Sequence, residues 1–405
     1  MSKDPPPARP AALLRVADLR GLAQLVIDGV VGVTDLVEAM HQAAGSRAGI
    51  LGPAQSGRTR GLTGLAYRAV RGTTRGVGHA LDALLAAVPA GDRPARPRRE
   101  AIVAAVNGVW GDHLLATRNP LAIAMTLRIG GRPYAAALAS ATSPVRATGR
   151  LLVLVHGLAM NDLQWRRNGH DHGGALARDL GFTPLYLHYN SGRHVSDNGS
   201  ELADLLDRVV ATWPVPLEEL VLVGHSMGGL VLRSACHAAA GQRWRSLVSR
   251  LVCLGTPHHG APLERGGRRF DAFLGLSPYV APFARLGRTR SAGITDLRFG
   301  NVQAADWQHR DAAEQRHDDR VPTPLPRGIA CFFVAATTAT QVSSLRSAAI
   351  GDGLVPLASA LGEHPDPAMA LRVPAGRRFV ATAAHHFDLL DRDDVYVRLR
   401  DWLAG

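Results

Sequence analysis

Six short, nearly uninterrupted apolar runs punctuate the chain from Arg150 onward, at 151–155, 183–188, 220–223, 250–254, 329–335 and 378–381. A run without polar alternation suits a strand covered on both faces, which is the situation inside a parallel sheet. Between these runs, 198–212, 227–240 and 393–403 carry apolar residues at helical spacing. Strands alternating with helices over this length predict a doubly wound, mostly parallel α/β sheet spanning residues 150–405. Residues 261–328 break the rhythm with Gly, Pro, Arg and Asp, and are expected to be an insertion or lid.

Residues 1–149 have a different texture. Leucine, valine and alanine recur at helical spacing over 11–44 and 62–88, and again over 101–117, with arginines between them. The stretch at 89–100, PAGDRPARPRRE, is a linker by composition. The whole region is therefore expected to be a helical N-terminal extension. It holds 18 basic and 9 acidic residues, so it supplies +9 of the chain's net +12. Clustered positive charge attracts anionic surfaces, so this segment is a candidate for peripheral membrane contact or for an acidic partner; an arginine-rich solvated face is the plain alternative. No nucleotide loop or nucleic-acid motif accompanies it, and nucleic acid is not an expected partner. Cys236, Cys253 and Cys331 lie in apolar stretches without a CxxC spacing, compatible with a reducing, cytoplasmic setting. No apolar run reaches the ~20 residues of a membrane span.

The most informative stretch is LVLVGHSMGG, in which Gly224-His225-Ser226-Met227-Gly228 follows one of the apolar runs and opens a helical segment. Gly-x-Ser-x-Gly in that setting is the pattern of a nucleophile elbow, a strained turn that lifts a serine above the sheet. Gly224 and Gly228 stand where side-chain bulk is not tolerated between strand and helix. A serine hydroxyl needs a base to take its proton and an acid to orient that base. Downstream, GDGLVPL supplies Asp352 and TAAHHFDLL supplies His385 and His386. The chain order serine, acid, histidine is the one this fold uses. The amide of Met227, directly after the nucleophile, is a candidate oxyanion donor by the geometry of the elbow.

Five motifs in order, LVHGL at 154–158, GHSMGG at 224–229, LGTPHHGAP at 254–262, GDGLVP at 351–356 and HHFDLL at 385–390, resemble the lipase and esterase branch of the α/β-hydrolase superfamily, including its GPI-inositol-deacylase-like group. The resemblance implies an α/β-hydrolase fold with Ser226 as nucleophile, Asp352 as acid and His386 as base, His385 being the rival. It also implies Leu158 as the second oxyanion amide, with His156 and Gly157 shaping its loop, and it places the 254–262 loop near the entrance of the site. Asp388 is expected to serve as a helix cap or salt-bridge partner.

Several other polar residues receive structural expectations. His170 and His172 lack the partners of a metal set, and His258 and His259 are expected to fix their loop by hydrogen bonds. Ser196, Asp197 and Asn198 are candidate N-caps of the following helix. Arg193 and His194 are equally consistent with meeting substrate or with a structural role. The expected activity is hydrolysis of carboxylic esters, small-molecule or lipid, through an acyl-enzyme and without metal or organic cofactor. A thioesterase or acyltransferase would use the same residues, and a catalytically inactive binding module would keep only the fold.

Overall fold

The computed structural model describes residues 15–47, 61–86, 97–140, 145–261, 291–308, 318–341 and 351–404. These divide into two compact units, residues 1–96 with 116–121, and residues 97–115 with 122–405. In the first, α1 (Val16–Arg47) and α2 (Gly61–Ala86) pack side by side. Gly78 permits the close approach, because a Cβ there would stand 2.4 Å from Ile27 Cδ1. Arg20 grips Asp82 through two 2.9 Å hydrogen bonds, and the buried Arg71 reaches Asp35 and Glu38. Valines and leucines remain exposed along both helices, among them Val26, Val33, Val77 and Leu84. No described helix is long and apolar enough to cross a membrane.

The second unit is built on one eight-stranded sheet. It begins with α3 (Pro97–Ala116), β1 (Thr126–Ile129), β2 (Arg132–Pro133) and α4 (Tyr134–Leu138). β3 (Arg150–Val155), α5 (His172–Leu180), β4 (Thr183–His188), α6 (Val195–Thr212), β5 (Glu219–His225) and α7 (Met227–Ala238) follow. The remainder is α8 (Trp244–Leu247), β6 (Val248–Leu254), α9 (Ala292–Phe299), β7 (Ala330–Ala336), α10 (Leu357–Ala360), β8 (Arg378–Ala381) and α11 (Asp393–Ala404). The strand order is β2-β1-β4-β3-β5-β6-β7-β8, with β3 to β8 parallel and β1 antiparallel to both of its neighbours.

Each parallel strand splits its side chains between two cores. Leu151, Val153 and Val155 of β3 face the core shared with Leu202 and Leu206 of α6 and Leu230 of α7. Leu152 and Leu154 face the one shared with Leu176 of α5 and Val395, Leu399 and Leu403 of α11. Helices on both faces explain why the runs are apolar without alternation. The chain winds outward from β3 to β4 and then returns to β5 on the other side of β3. The C-terminal ends of β3 and β5 therefore flank the topological switch point, where ligands bind in open α/β sheets.

The sheet extends upstream of Arg150, into the segment expected to be helical. β1 pairs with β4 from Thr126↔His188 to Arg128↔Tyr186, and folds back on β2 through Gly130 and Gly131 at φ 57° and 78°. Two successive residues at positive φ make the kind of turn that matches hairpin twist, and glycine adopts it without strain. The cap of α6 also differs from expectation. The helix begins at Val195, ahead of Ser196, Asp197 and Asn198, and its first amide is capped by Asp296 Oδ2 at 2.7 Å. Of the expected lid, 262–290 and 309–317 lie outside the described residues; the described part contains α9 and a short 3₁₀ turn at Ala304–Asp306.

Candidate active site

Ser226 follows β5 directly and has φ 54° and ψ −126°, a conformation that non-glycine residues avoid. Three glycines make the turn sterically feasible. A Cβ on Gly224 would stand 2.5 Å from Gly229 N, one on Gly228 2.1 Å from Val155 O, and one on Gly229 2.0 Å from Thr256 Oγ1. Helix α7 thus starts hard against the ends of β3 and β6. Ser226 N–H donates to Leu254 O at 2.8 Å, which continues the β5–β6 pairing into the turn.

His386 and Asp352 are brought together in a buried pair, each 2% exposed. His386 Nδ1 donates to Asp352 Oδ2 at 2.6 Å, and His386 N–H donates to the Asp352 carbonyl at 3.2 Å. The other carboxylate oxygen, Oδ1, accepts the amides of Leu354 and Val355 at 2.9 and 2.8 Å. These bonds leave the carboxylate one direction in which to hold the imidazole. They also fix the tautomer: with the proton on Nδ1, Nε2 carries the lone pair. Nε2 is buried and has no hydrogen-bond partner among the described residues.

Neighbouring strand ends place this ring beside the serine turn. A Cβ on Gly255, the residue after the acceptor of Ser226 N–H, would lie 3.0 Å from His386 Cε1. His225 Nε2 lies 3.3 Å from the His386 carbonyl, and the two rings are 4.8 Å apart. His385, by contrast, is exposed, and its amide donates to Asp388 Oδ2 at 2.8 Å. Asp388 therefore caps the turn that directs consecutive histidines to opposite sides.

The loop after β3 closes the other flank. Gly157 lies so near the serine that a Cβ there would be 3.0 Å from Ser226 Cβ. His156 Nδ1 donates to the Gly157 carbonyl at 2.8 Å, and Met160 N–H donates to the same oxygen at 3.3 Å. In a trans peptide the N–H points opposite to the C=O, so these two bonds also set the direction of the Leu158 amide. Burial holds the His156 imidazole down to about 3, so it is neutral and keeps one N–H to donate. Its ring stacks on Tyr189 at 4.4 Å, and Tyr189 Oη donates to the His156 carbonyl at 2.8 Å. The Met227 amide opens α7, where a helix offers no intrahelical acceptor.

Other singled-out residues do local structural work. His170 and His172 bond to each other at 2.8 Å, and His172 Nε2 donates to Leu389 O at 2.9 Å. No group of metal-ligating side chains occurs among the described residues. His194 pairs with Asp296 at 3.0 Å and stacks on Trp307, while Arg193 pairs with Glu201. Asp296 had no signal in the sequence, because it caps a helix 101 positions upstream. A larger cavity of about 650 Å³, bordered by Tyr134, Val145, Arg146 and Pro214, opens near the N-terminal ends of β3 and β5. It lies at the opposite end of the sheet from Ser226 and gathers no nucleophile with a base.

Residues 146–318 match the family model of the PGAP1-like alpha/beta domain, a span that includes the serine turn and ends before Asp352 and His386. No curated protein matches the chain. Among solved structures, the mature Bacillus licheniformis lipase BlEst2 is 21% identical over 64% of this chain and 93% of its own, with a TM-score of 0.40. The Pyrococcus furiosus esterase Pf2001 is 12% identical over 63% and 80%, at 0.36. The Legionella pneumophila phospholipase PlaB is 14% identical over 53% and 46%, at 0.36. At these scores the fold is carried by the strand order and the family match, not by the neighbours. Residues 146–318, less than half of the chain, resemble the PGAP1-like alpha/beta domain, and the unit that contains them has the α/β-hydrolase fold.

Proposed function

We propose that the protein is a serine hydrolase that cleaves carboxylic esters through an acyl-enzyme on Ser226. The observation that carries this reading is the buried His386–Asp352 pair at the strand ends beside a serine held in a strained turn. In the proposed reaction His386 Nε2 takes the Ser226 hydroxyl proton as Oγ attacks the acyl carbonyl. The amides of Leu158 and Met227 receive the developing oxyanion, and Asp352 stabilises the imidazolium. The proton then passes from Nε2 to the alkoxide leaving group, giving the alcohol and the acyl-enzyme. Water, deprotonated by the same nitrogen, attacks the acyl-enzyme; collapse of that intermediate releases the acid and returns the proton to Ser226.

The test is turnover of p-nitrophenyl esters from C2 to C16 by wild type and Ser226→Ala. A loss of at least ~10³-fold in kcat is expected for the variant, in line with removal of a nucleophile. Equal rates in the two proteins would overturn the assignment.

We further propose that helices α1 and α2 rest on anionic membrane surfaces. Exposed apolar side chains on both helices, interleaved with arginines, support this reading. Co-flotation with liposomes containing anionic lipid at low salt is expected, and its absence would remove the proposal.

A further inference from the structure

Besides Ser226, a second non-glycine residue of the site holds a positive φ: Ala159, at 58°. It directly follows Leu158 and lies in the turn closed by the bond from Met160 N–H to the Gly157 carbonyl. Leu158 is not among the residues with positive φ. A hydrogen-bonded turn whose third residue alone has positive φ is of type II, and glycine is the residue that fits there without strain. Alanine in that place favours the type I turn, which the same four residues reach when the peptide between Leu158 and Ala159 rotates by about 180°.

The strained form is held from outside the turn. Ala159 N–H, the donor of that central peptide, is bonded to Ser191 Oγ at 2.9 Å, and Ser191 is 1% exposed. The serine stands on fixed backbone. Its neighbour Asn190 donates to the Gly111 carbonyl at 2.8 Å and accepts Gly192 N–H at 3.1 Å, and Asn198 Nδ2 donates to the Asn190 carbonyl at 3.0 Å. On the other side Gly108 of α3 leaves room for the alanine methyl, since a Cβ there would stand 2.6 Å from Ala159 Cβ.

Without the hydroxyl, the strained turn would also bury an N–H with no acceptor, and rotation of the peptide relieves both costs. It leaves a carbonyl under-satisfied instead, which interiors tolerate better than an orphan N–H. Leu158 is the hinge of that rotation, its ψ changing by roughly 150°. Its amide would then be tied to the protein only through the Gly157 side of the turn.

We propose that Ser191 is a positioning residue for the Leu158 amide, its hydroxyl holding the 157–160 turn in the strained form that points this amide at the oxyanion. The proposal rests on the reaction proposed at Ser226.

Steady-state kinetics on the p-nitrophenyl ester that wild type turns over fastest compare Ser191→Ala, Ala159→Gly and the double variant. Ser191→Ala is expected to lose about tenfold in kcat with KM nearly unchanged, because the amide acts mainly on the transition state. Ala159→Gly should match wild type, since glycine takes a positive φ without strain, and adding it to Ser191→Ala should restore kcat to within about threefold of wild type. Should Ser191→Ala fail to fold, Ser191→Cys replaces it under the same criteria, the thiol being a weak acceptor. An unchanged kcat in the serine variant, or a double variant as slow as the single one, would overturn the proposal. If wild type itself hydrolyses no ester, the reading of Ser226 fails separately, and crystal structures of wild type and the serine variant test the turn. A rotated Leu158–Ala159 peptide in the variant would support the hold exerted by Ser191, and an unchanged turn would refute it.

Discussion

At the scale of single residues, the candidate site depends on imidazoles that are each held by one defined acceptor. His386 is directed by Asp352, and His156 is directed by the Gly157 carbonyl. His156 does not reach toward the serine; it turns the peptide whose N–H belongs to Leu158. Replacing it with Phe keeps a ring to stack on Tyr189 and removes the hydrogen bond to Gly157 O. The expected result is a fall in kcat of about tenfold or more with KM nearly unchanged, since an oxyanion donor acts mainly in the transition state. Steady-state kinetics on a p-nitrophenyl ester measure the split. A rise in KM at constant kcat would assign His156 to binding instead, and partial rescue by His156→Gln, which restores a donor, would argue against simple loss of packing.

At the scale of elements, the strand–turn–helix unit β5–α7 is positioned by contacts between backbones. Gly228→Ala would drive a methyl group to 2.1 Å from Val155 O and 2.8 Å from His156 O, and neither carbonyl belongs to a side chain that can swing aside. The expected cost is about 3 kcal/mol or more in urea unfolding, at or beyond the upper end for overpacking. Gly174→Ala is the contrast: it lies exposed in α5, the nearest atom to its Cβ would be 3.7 Å away, and a gain of about 0.5–1 kcal/mol is expected. Similar gains at the two glycines would show that helix propensity, not proximity, governs both.

The same element scale explains what the sequence made legible. The parallel strands announced themselves because both faces are buried, so 151–155 and 220–223 carry no polar interruption. β1 and β2 did not, being four and two residues long, although Gly130-Gly131 between TLRI and RP was a hairpin signal. The cap of α6 comes from Asp296, a partner that no local pattern contains. Around the serine, the order of Ser226, Asp352 and the paired histidines was readable along the chain. Which histidine turns toward Asp352 depends on the capped turn at 385–388, and the bonds to Asp352 Oδ1 depend on the path of the Leu354 and Val355 backbone.

At the scale of the whole molecule, the α/β unit buries several histidines as neutral rings, and this couples its stability to pH. Burial lowers the imidazoles of His156 to about 3 and of His172 and His259 to about 4, and holds His225 and His258 well below their usual range. In the unfolded chain the same groups titrate near 6.5. Below that pH the unfolded state binds protons that the native state refuses, so stability is complete above about 6.5 and falls as the pH drops toward 4. Each ring withdraws about 1.4 kcal/mol per pH unit across its window. Tm measured from pH 7.5 to 4.5 should therefore decline steeply below 6.5, before most carboxylates titrate. His172→Gln, whatever its baseline stability, should show a shallower decline, because one of the protons taken up on unfolding is gone. A flat Tm between pH 6.5 and 5, or a slope unchanged by the substitution, would mean that the native protein protonates these rings without unfolding.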